Sequence, residues 1–205
     1  MKFRIMSAVI GAVLATMSVG ASAQFGGMLK GGDSAKGSIS ADQIVQRYIG
    51  GTKSVVNANA TMLDAVGLKN ESAASAAQAA NLTEGATKDA LEESVKVQTA
   101  NSKALETKLA DSSTQLDAAG KKKFSAGVSE LAKGVVAYVG LGKDTAGFKP
   151  GMSSMGGSAN SALFVAKSLP ASTKNLVETL KMAIDFCKTN KIPVDKSATD
   201  ATALI

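Results

Sequence analysis

The chain of 205 residues carries 23 Lys or Arg and 17 Asp or Glu residues, has no histidine and has one cysteine. Without histidine it lacks the commonest general base and the commonest metal ligand, and a single cysteine cannot form an intramolecular disulfide. Apart from Lys121-Lys122-Lys123 the charges are dispersed, so the composition argues against a nucleic-acid partner.

The first 23 residues have the three parts of a secretory signal peptide. Lys2 and Arg4 form a short positive region, residues 5–20 are uncharged and mostly apolar, and Ala21 and Ala23 supply the small side chains of a cleavage site before Gln24. We therefore expect export to the periplasm or the medium, with residues 1–23 removed. Removing Lys2 and Arg4 from the 23 basic residues leaves 21 against 17 acidic ones, a net charge of +4.

A long helix is predicted after a flexible, glycine-rich segment at residues 24–39. Ser40 and Gln43 have the spacing of a capping box, and apolar residues then recur at helical intervals up to Val66. Gly67 is a typical stop residue, and Gly50-Gly51 could kink the helix. Asn59 lies on the apolar stripe, where it could fix register or line a cavity.

Two further helical segments follow. Residues 71–82 are almost all alanine and small polar residues, which favour helix but bury little area. Residues 83–110 form the next predicted helix, with a favourable Glu92–Lys96 pair. Its sparse apolar stripe consists of Leu91, Val95, Leu105 and Leu109.

The clearest pattern lies between residues 117 and 139. Phe124, Leu131 and Tyr138 repeat every seven residues, as do Val128 and Val135. A glycine row follows the same interval on the same side of this predicted helix. Because glycine in a helix interior lowers stability, the row predicts a close approach of another backbone. The row consists of Gly120, Gly127 and Gly134.

Residues 140–157 are predicted to form a loop longer than a bundle turn needs, and such loops are often functional. The candidate functional residues there are Lys143, Phe148, Met152 and Met155. A short helix at residues 158–168 should end at Leu169-Pro170, and a last helix capped by Ser172 or Thr173 should end near Asn190. Residues 193–205 are expected to be loosely ordered.

These elements predict an all-α fold: an antiparallel helical bundle of five or six helices at residues 40–192, with alanine- and glycine-rich seams. No cofactor is expected, and the chain has neither a histidine base nor a nucleophile motif. We expect an exported, non-enzymatic protein that acts in binding or assembly. Its partner would be a second copy, an envelope protein or a hydrophobic ligand.

Two alternatives remain open from the sequence. The apolar stretches within residues 134–167 could act as a hairpin on a lipid or membrane surface, although neither is long enough to span a bilayer. Met152 and Met155 could supply soft sulfur ligands to Cu(I), although no third sulfur or histidine accompanies them.

Overall fold

The computed structural model describes residues 39–83, 85–146, 148 and 157–204. All regular structure in this part is helical, which confirms the predicted all-α class. Residues 38–205 form one compact unit. The described residues form six helices: α1 (Ala41–Ala65), α2 (Lys69–Asn81), α3 (Lys88–Ala110), α4 (Ala118–Thr145), α5 (Gly157–Thr189) and α6 (Lys196–Thr202).

Local chemistry explains both ends of α1. Ser40 Oγ accepts a hydrogen bond from the Gln43 amide at 3.2 Å, and Gln43 Oε1 accepts one from the Ser40 amide at 3.1 Å, so the predicted capping box is present. Beyond the other end, Gly67 has φ +85°, which is the left-handed region that favours glycine. The helix runs unbroken through Gly50-Gly51.

The central packing is between α1 and α4. The seven-residue pattern of α4 is buried, including Phe124, Leu131 and Tyr138. Both apolar rows of α4, the one that begins at Phe124 and the one that begins at Val128, therefore face inward. They bury their side chains against α1, whose inward face includes Tyr48, Val55 and Met62 at no measurable exposure. These side chains belong to an apolar core that α5 and α6 extend.

The glycine row of α4 lies where α1 comes closest. A Cβ placed on Gly127 would lie 3.1 Å from the Ala58 carbonyl oxygen, and one on Gly134 would lie 3.5 Å from that of Gly51. Gly120 lies near the Ala65 carbonyl, at 3.5 Å for the same hypothetical atom. Since the α4 numbers rise as the α1 numbers fall, the two helices run antiparallel, with glycine hydrogens in place of side chains along the contact.

The predicted helix break at Leu169-Pro170 is wrong, because α5 continues through Pro170 as one helix. Proline removes one intrahelical hydrogen bond and crowds the carbonyl four residues earlier. Pro170 is exposed, so water can solvate that carbonyl, while Leu169 and Leu176 on either side are 1% exposed and anchor the helix in the core. Thr173 is not a helix cap, because it lies inside α5 and its hydroxyl donates a hydrogen bond to the Leu169 carbonyl at 2.7 Å.

Other boundaries differ from the prediction. Helix α4 extends to Thr145, so residues 140–145 are not loop, and α3 begins only at Lys88, behind its N-cap Thr87. Glu92 pairs with Lys88 at 2.7 Å instead of with Lys96. The segment expected to be loosely ordered contains α6, which begins at the N-cap Asp195 and buries two alanines against the core.

Candidate functional site

The inward face of α3 is mostly polar, which the sparse leucine stripe did not predict. Only two leucines of this helix, Leu91 and Leu105, are fully buried. The remaining buried side chains carry hydroxyl or amide groups. Buried polar groups lower stability unless they are hydrogen-bonded, so this face requires partners. The buried polar residues of α3 are Ser94, Gln98, Asn101 and Ser102.

Gln98 of α3 reaches a tyrosine pair at the centre of the protein. The rings of Tyr48 on α1 and Tyr138 on α4 are stacked, with centroids 5.1 Å apart and an angle of 26° between their planes. Tyr138 Oη lies 2.7 Å from Thr52 Oγ1, and Gln98 Nε2 donates to the same Tyr138 oxygen at 3.3 Å. Together with the hydroxyl of Tyr48, these groups form the tyrosine cluster.

The hydroxyl of Tyr48 has no hydrogen-bond partner among the described residues. The residue has no measurable exposure, and no described side chain completes a hydrogen bond of normal geometry to its Oη atom. Burial raises the pKa of Tyr48 above its ordinary value of 10, and the nearby hydroxyls of Tyr138, Thr52, Ser172 and Ser168 offset this only in part. None of these hydroxyls makes a hydrogen bond of normal length and angle to the Tyr48 oxygen. The phenol is therefore a protonated donor that has no acceptor within the described residues.

A cavity of about 290 Å³ between α3 and α5 leads toward this cluster. Gln98 lines it and also contacts Tyr138, while Ser168 and Ser172 line it and lie beside Tyr48. Residues that line the cavity are therefore also neighbours of the two tyrosine hydroxyls. No charged side chain of the described residues lines it; the other lining residues are Val95, Thr99, Ala171 and Asn175.

Polar side chains of α3 also form hydrogen bonds with the two helices α2 and α5. Ser102 Oγ donates to Asn175 Oδ1 at 3.0 Å and accepts from Thr179 Oγ1 at 2.9 Å, which ties α3 to α5. Asn101 of α3 is hydrogen-bonded to Ser75 of α2. These side chains bond one another across the helices, so this part of the interior is held by hydrogen bonds more than by apolar contact.

Asn59 is the second unsatisfied polar group. It is fully buried on α1, and within the described chain neither its Nδ2 nor its Oδ1 atom has a hydrogen-bond partner. It follows Thr52 by seven residues, so both lie on the same helix face. An unsatisfied buried amide costs about 1–3 kcal/mol. The buried residues of α1 that carry polar groups are thus Tyr48, Thr52 and Asn59.

A second, larger cavity of about 880 Å³ lies where α1, α3 and α5 begin. Asp42 of α1, Lys88 of α3 and Lys167 of α5 line it, as do residues 85–87 of the turn before α3. The two lysines and one aspartate leave it mixed in charge. The cavity borders the tip of the α2–α3 hairpin, residues 82–88.

The residues singled out from the sequence occupy other places. Lys143 is exposed on α4, and Phe148 is partly buried against the core. The glycine row lies in the α1–α4 contact. The cleavage residues Ala21, Ala23 and Gln24, and the methionines Met152 and Met155, lie outside the described residues.

Several side chains of the postulated membrane hairpin belong to the core. Val135, Tyr138 and Leu141 of α4 are buried, and so are Ala162 and Val165 of α5. Only Val136, at 38%, stands out as a large exposed apolar side chain within its described part. The apolar stretches therefore already have partners inside the protein.

In the described ranges, no helix combines the length and apolar character needed to cross a membrane. The same residues contain no group of three or more Cys, Asp or Glu side chains arranged to hold a metal ion. Comparison with protein-family models, curated proteins and solved structures yields no match.

Proposed function

We propose that this chain is an exported, non-enzymatic helical bundle that binds a small uncharged ligand beside the tyrosine cluster. The observation that carries the proposal is the Tyr48 hydroxyl, which is fully buried, has no partner in the described chain and lies near Ser168 and Ser172, two residues that line the cavity. A ligand acceptor atom would supply the hydrogen bond that this phenol lacks.

The chemistry of the cavity favours an uncharged ligand. Its polar lining consists of amides and hydroxyls, which both donate and accept hydrogen bonds. A charged ligand entering there would lose water without gaining an opposite charge. Since burial keeps the phenol of Tyr48 protonated, it would donate to a carbonyl, ether or hydroxyl oxygen. The apolar parts of Val95 and Ala171 would contact the carbon skeleton.

The proposal also states that the protein is exported and is not an enzyme. The signal-peptide pattern of residues 1–23 supports export, and the lack of histidine supports binding over acid–base chemistry. Among the binding roles expected from the sequence, a ligand site is favoured over a membrane hairpin. The reason is that the apolar side chains of α4 and α5 are engaged in the core.

Ligand-observed NMR on residues 24–205 tests the proposal. The fragment set pairs each uncharged amide or alcohol with a carboxylate and an amine of the same size. We expect the uncharged members to bind and their charged counterparts to fail. Tyr48→Phe should weaken binding about tenfold, because it removes one hydrogen bond to the ligand.

The control is the stability of the same variant. Tyr48→Phe deletes an oxygen that has no partner in the described chain, so the melting temperature should stay the same or rise. Equal binding of charged and uncharged fragments would refute the ligand class. If no fragment binds, or if Tyr48→Phe and Ser172→Ala both leave binding unchanged, the site is refuted.

A further inference from the structure

We propose that the α2–α3 hairpin, residues 69–110, is a hinged cover that opens at its α2–α3 turn and admits ligand to the tyrosine cluster. The inference rests on the proposed function for its purpose, although the opening itself can be measured without a ligand. Three observations carry it: the polarity of the covered face, the unsatisfied groups beneath it and the cavity that borders one of its two ends.

The hairpin contributes little to the apolar core. From residues 69–110 the buried apolar side chains are Ala79, Leu82, Leu91 and Leu105. Helix α1 alone buries a longer set, including Ile44, Tyr48, Val55, Met62 and Leu63. Because hydrophobic stabilisation follows buried apolar area, separating the hairpin should be less costly than separating α1 from α4.

Opening would also hydrate groups that the closed form leaves unsatisfied or weakly bonded. Gln98 of α3 covers Tyr138, whose ring is stacked on that of Tyr48, and Tyr48 Oη has no partner in the described chain. The contact between Gln98 and Tyr138 is 3.3 Å long, and the Ser102–Thr179 pair is formed by two hydroxyls. Water can replace each of these bonds, so the polar face opposes opening less than an apolar face would.

The end of the hairpin that joins α1 and α4 is held firmly. The Asp64 carboxylate at the end of α1 pairs with Lys69 at the start of α2 and, at 2.6 Å, with Lys123 of α4. Thr114, in the connection from α3 to α4, donates from Oγ1 to the Lys108 carbonyl at 2.7 Å. Gly67, in the other connection, has the left-handed backbone conformation of a tight turn. These residues form the hinge end.

The opposite end of the hairpin borders a cavity. Residues 85–88 at the start of α3 face Asp42 of α1 and Lys167 of α5 across the cavity of about 880 Å³. Leu82 and Leu91 are the large apolar anchors at this end, at 1% and no exposure respectively. A rotation about the hinge end would widen this cavity and separate α3 from α5. The cavity of about 290 Å³ beside Gln98 lies on that same boundary.

Hydrogen exchange followed by mass spectrometry tests the cover on residues 24–205 without ligand. We expect amides of α2 and α3 that are hydrogen-bonded within their helices to exchange at least about tenfold faster than those of α1 and α4. Equal protection of all four helices would overturn the proposal. The comparison is internal, since every helix is measured in one sample.

A disulfide cross-link between α3 and α5 provides a second test of the cover. Ser102 Oγ and Thr179 Oγ1 are 2.9 Å apart, so Ser102→Cys with Thr179→Cys places two thiols across the α3–α5 boundary. Once intact mass shows the disulfide, exchange in residues 69–110 should slow about tenfold while that of α1 and α4 stays unchanged. The same variant in reductant is the control. Unchanged exchange in the oxidised form would contradict a cover that moves away from α5.

The two proposals fail separately. If uncharged fragments bind but the hairpin is as protected as α1, the site stands and the cover is wrong. If the hairpin opens but no fragment binds, the proposed function is wrong and the opening remains. If both hold, oxidation of the double-cysteine variant should slow the on-rate of a binding fragment, and reductant should restore it.

Discussion

Replacing Gly127 by alanine should destabilise the protein, although alanine is the better helix former. A Cβ at this position would lie 2.5 Å from Met62 Cγ, 3.1 Å from the Ala58 carbonyl oxygen and 3.3 Å from the Met62 amide nitrogen. Met62 is fully buried, so its side chain has little room to retreat. Two of the three close atoms belong to the backbone of α1, so α1 and α4 would have to separate.

The magnitude follows from two opposing terms. Alanine gains about 0.8–1.0 kcal/mol over glycine in a helix interior. Overpacking a well-packed contact costs about 1–3 kcal/mol, and the upper end applies where backbone atoms must move. The net expectation for Gly127→Ala is a loss of about 2 kcal/mol. For a domain of this size, that corresponds to a melting temperature lower by about 4–8 °C.

Gly140→Ala is the matched control. It is the same chemical change in the same helix, but a Cβ there would meet nothing within 4 Å. It should therefore raise stability by about 1 kcal/mol. Urea unfolding followed by circular dichroism at 222 nm, together with thermal melts, measures both variants. If Gly127→Ala stabilises the protein as much as Gly140→Ala does, the proposed closeness of α1 and α4 is refuted.

Three other predictions concern buried polar and ionisable groups. Asn59→Ala should leave the protein about 2 kcal/mol more stable than Asn101→Ala, because Asn101 has a partner in Ser75 and Asn59 has none in the described chain; equal losses in urea unfolding would contradict this. Cys187 is fully buried, and burial raises the pKa of its thiol to about 11, so a thiol reagent at about pH 8 should label it only on unfolding; rapid labelling of the folded protein would contradict burial. Burial also raises the pKa of Tyr138 well above 10 and that of Tyr48 above 10, so the folded chain keeps protons that the unfolded chain releases. Stability should be constant between about pH 6 and 7.5, and fall from about pH 8 as the unfolded Cys187 thiol ionises. It should fall further through about pH 9–11 as the unfolded phenols ionise, with phenolate absorbance appearing only with unfolding; phenolate absorbance in the folded protein at about pH 10 would contradict it.

Sequence patterns located most helices because the patterns report local chemistry. The capping box at Ser40 and the positive φ of Gly67 depend on residues a few positions apart, so they could be predicted and are present. The seven-residue rows of α4 likewise identified its buried face. The helix break predicted at Pro170 is wrong because the cost of a proline inside a helix depends on whether water can reach the freed carbonyl. That access is a property of the folded surface.

The candidate site could be predicted only in part. Asn59 stood out as a polar residue on an apolar stripe, and a cavity was one interpretation. The tyrosine cluster had no local signature, because Tyr48, Gln98 and Tyr138 come from three helices separated by 40 or more residues. Nor could a polar inward face on α3 be distinguished from a solvated one, since Ser and Gln are common on both.

By itself, the sequence determined the all-α class, the capped start of α1, the buried rows of α4 and the absence of histidine chemistry. Each of these depends on residue type or on spacing within one helix. Tertiary structure alone decided that the glycine row meets α1, that α5 passes through Pro170 and that a phenol without a partner in the described chain lies near a polar cavity. These features depend on which helices lie side by side and where water can enter, and neither is encoded in the period of one helix.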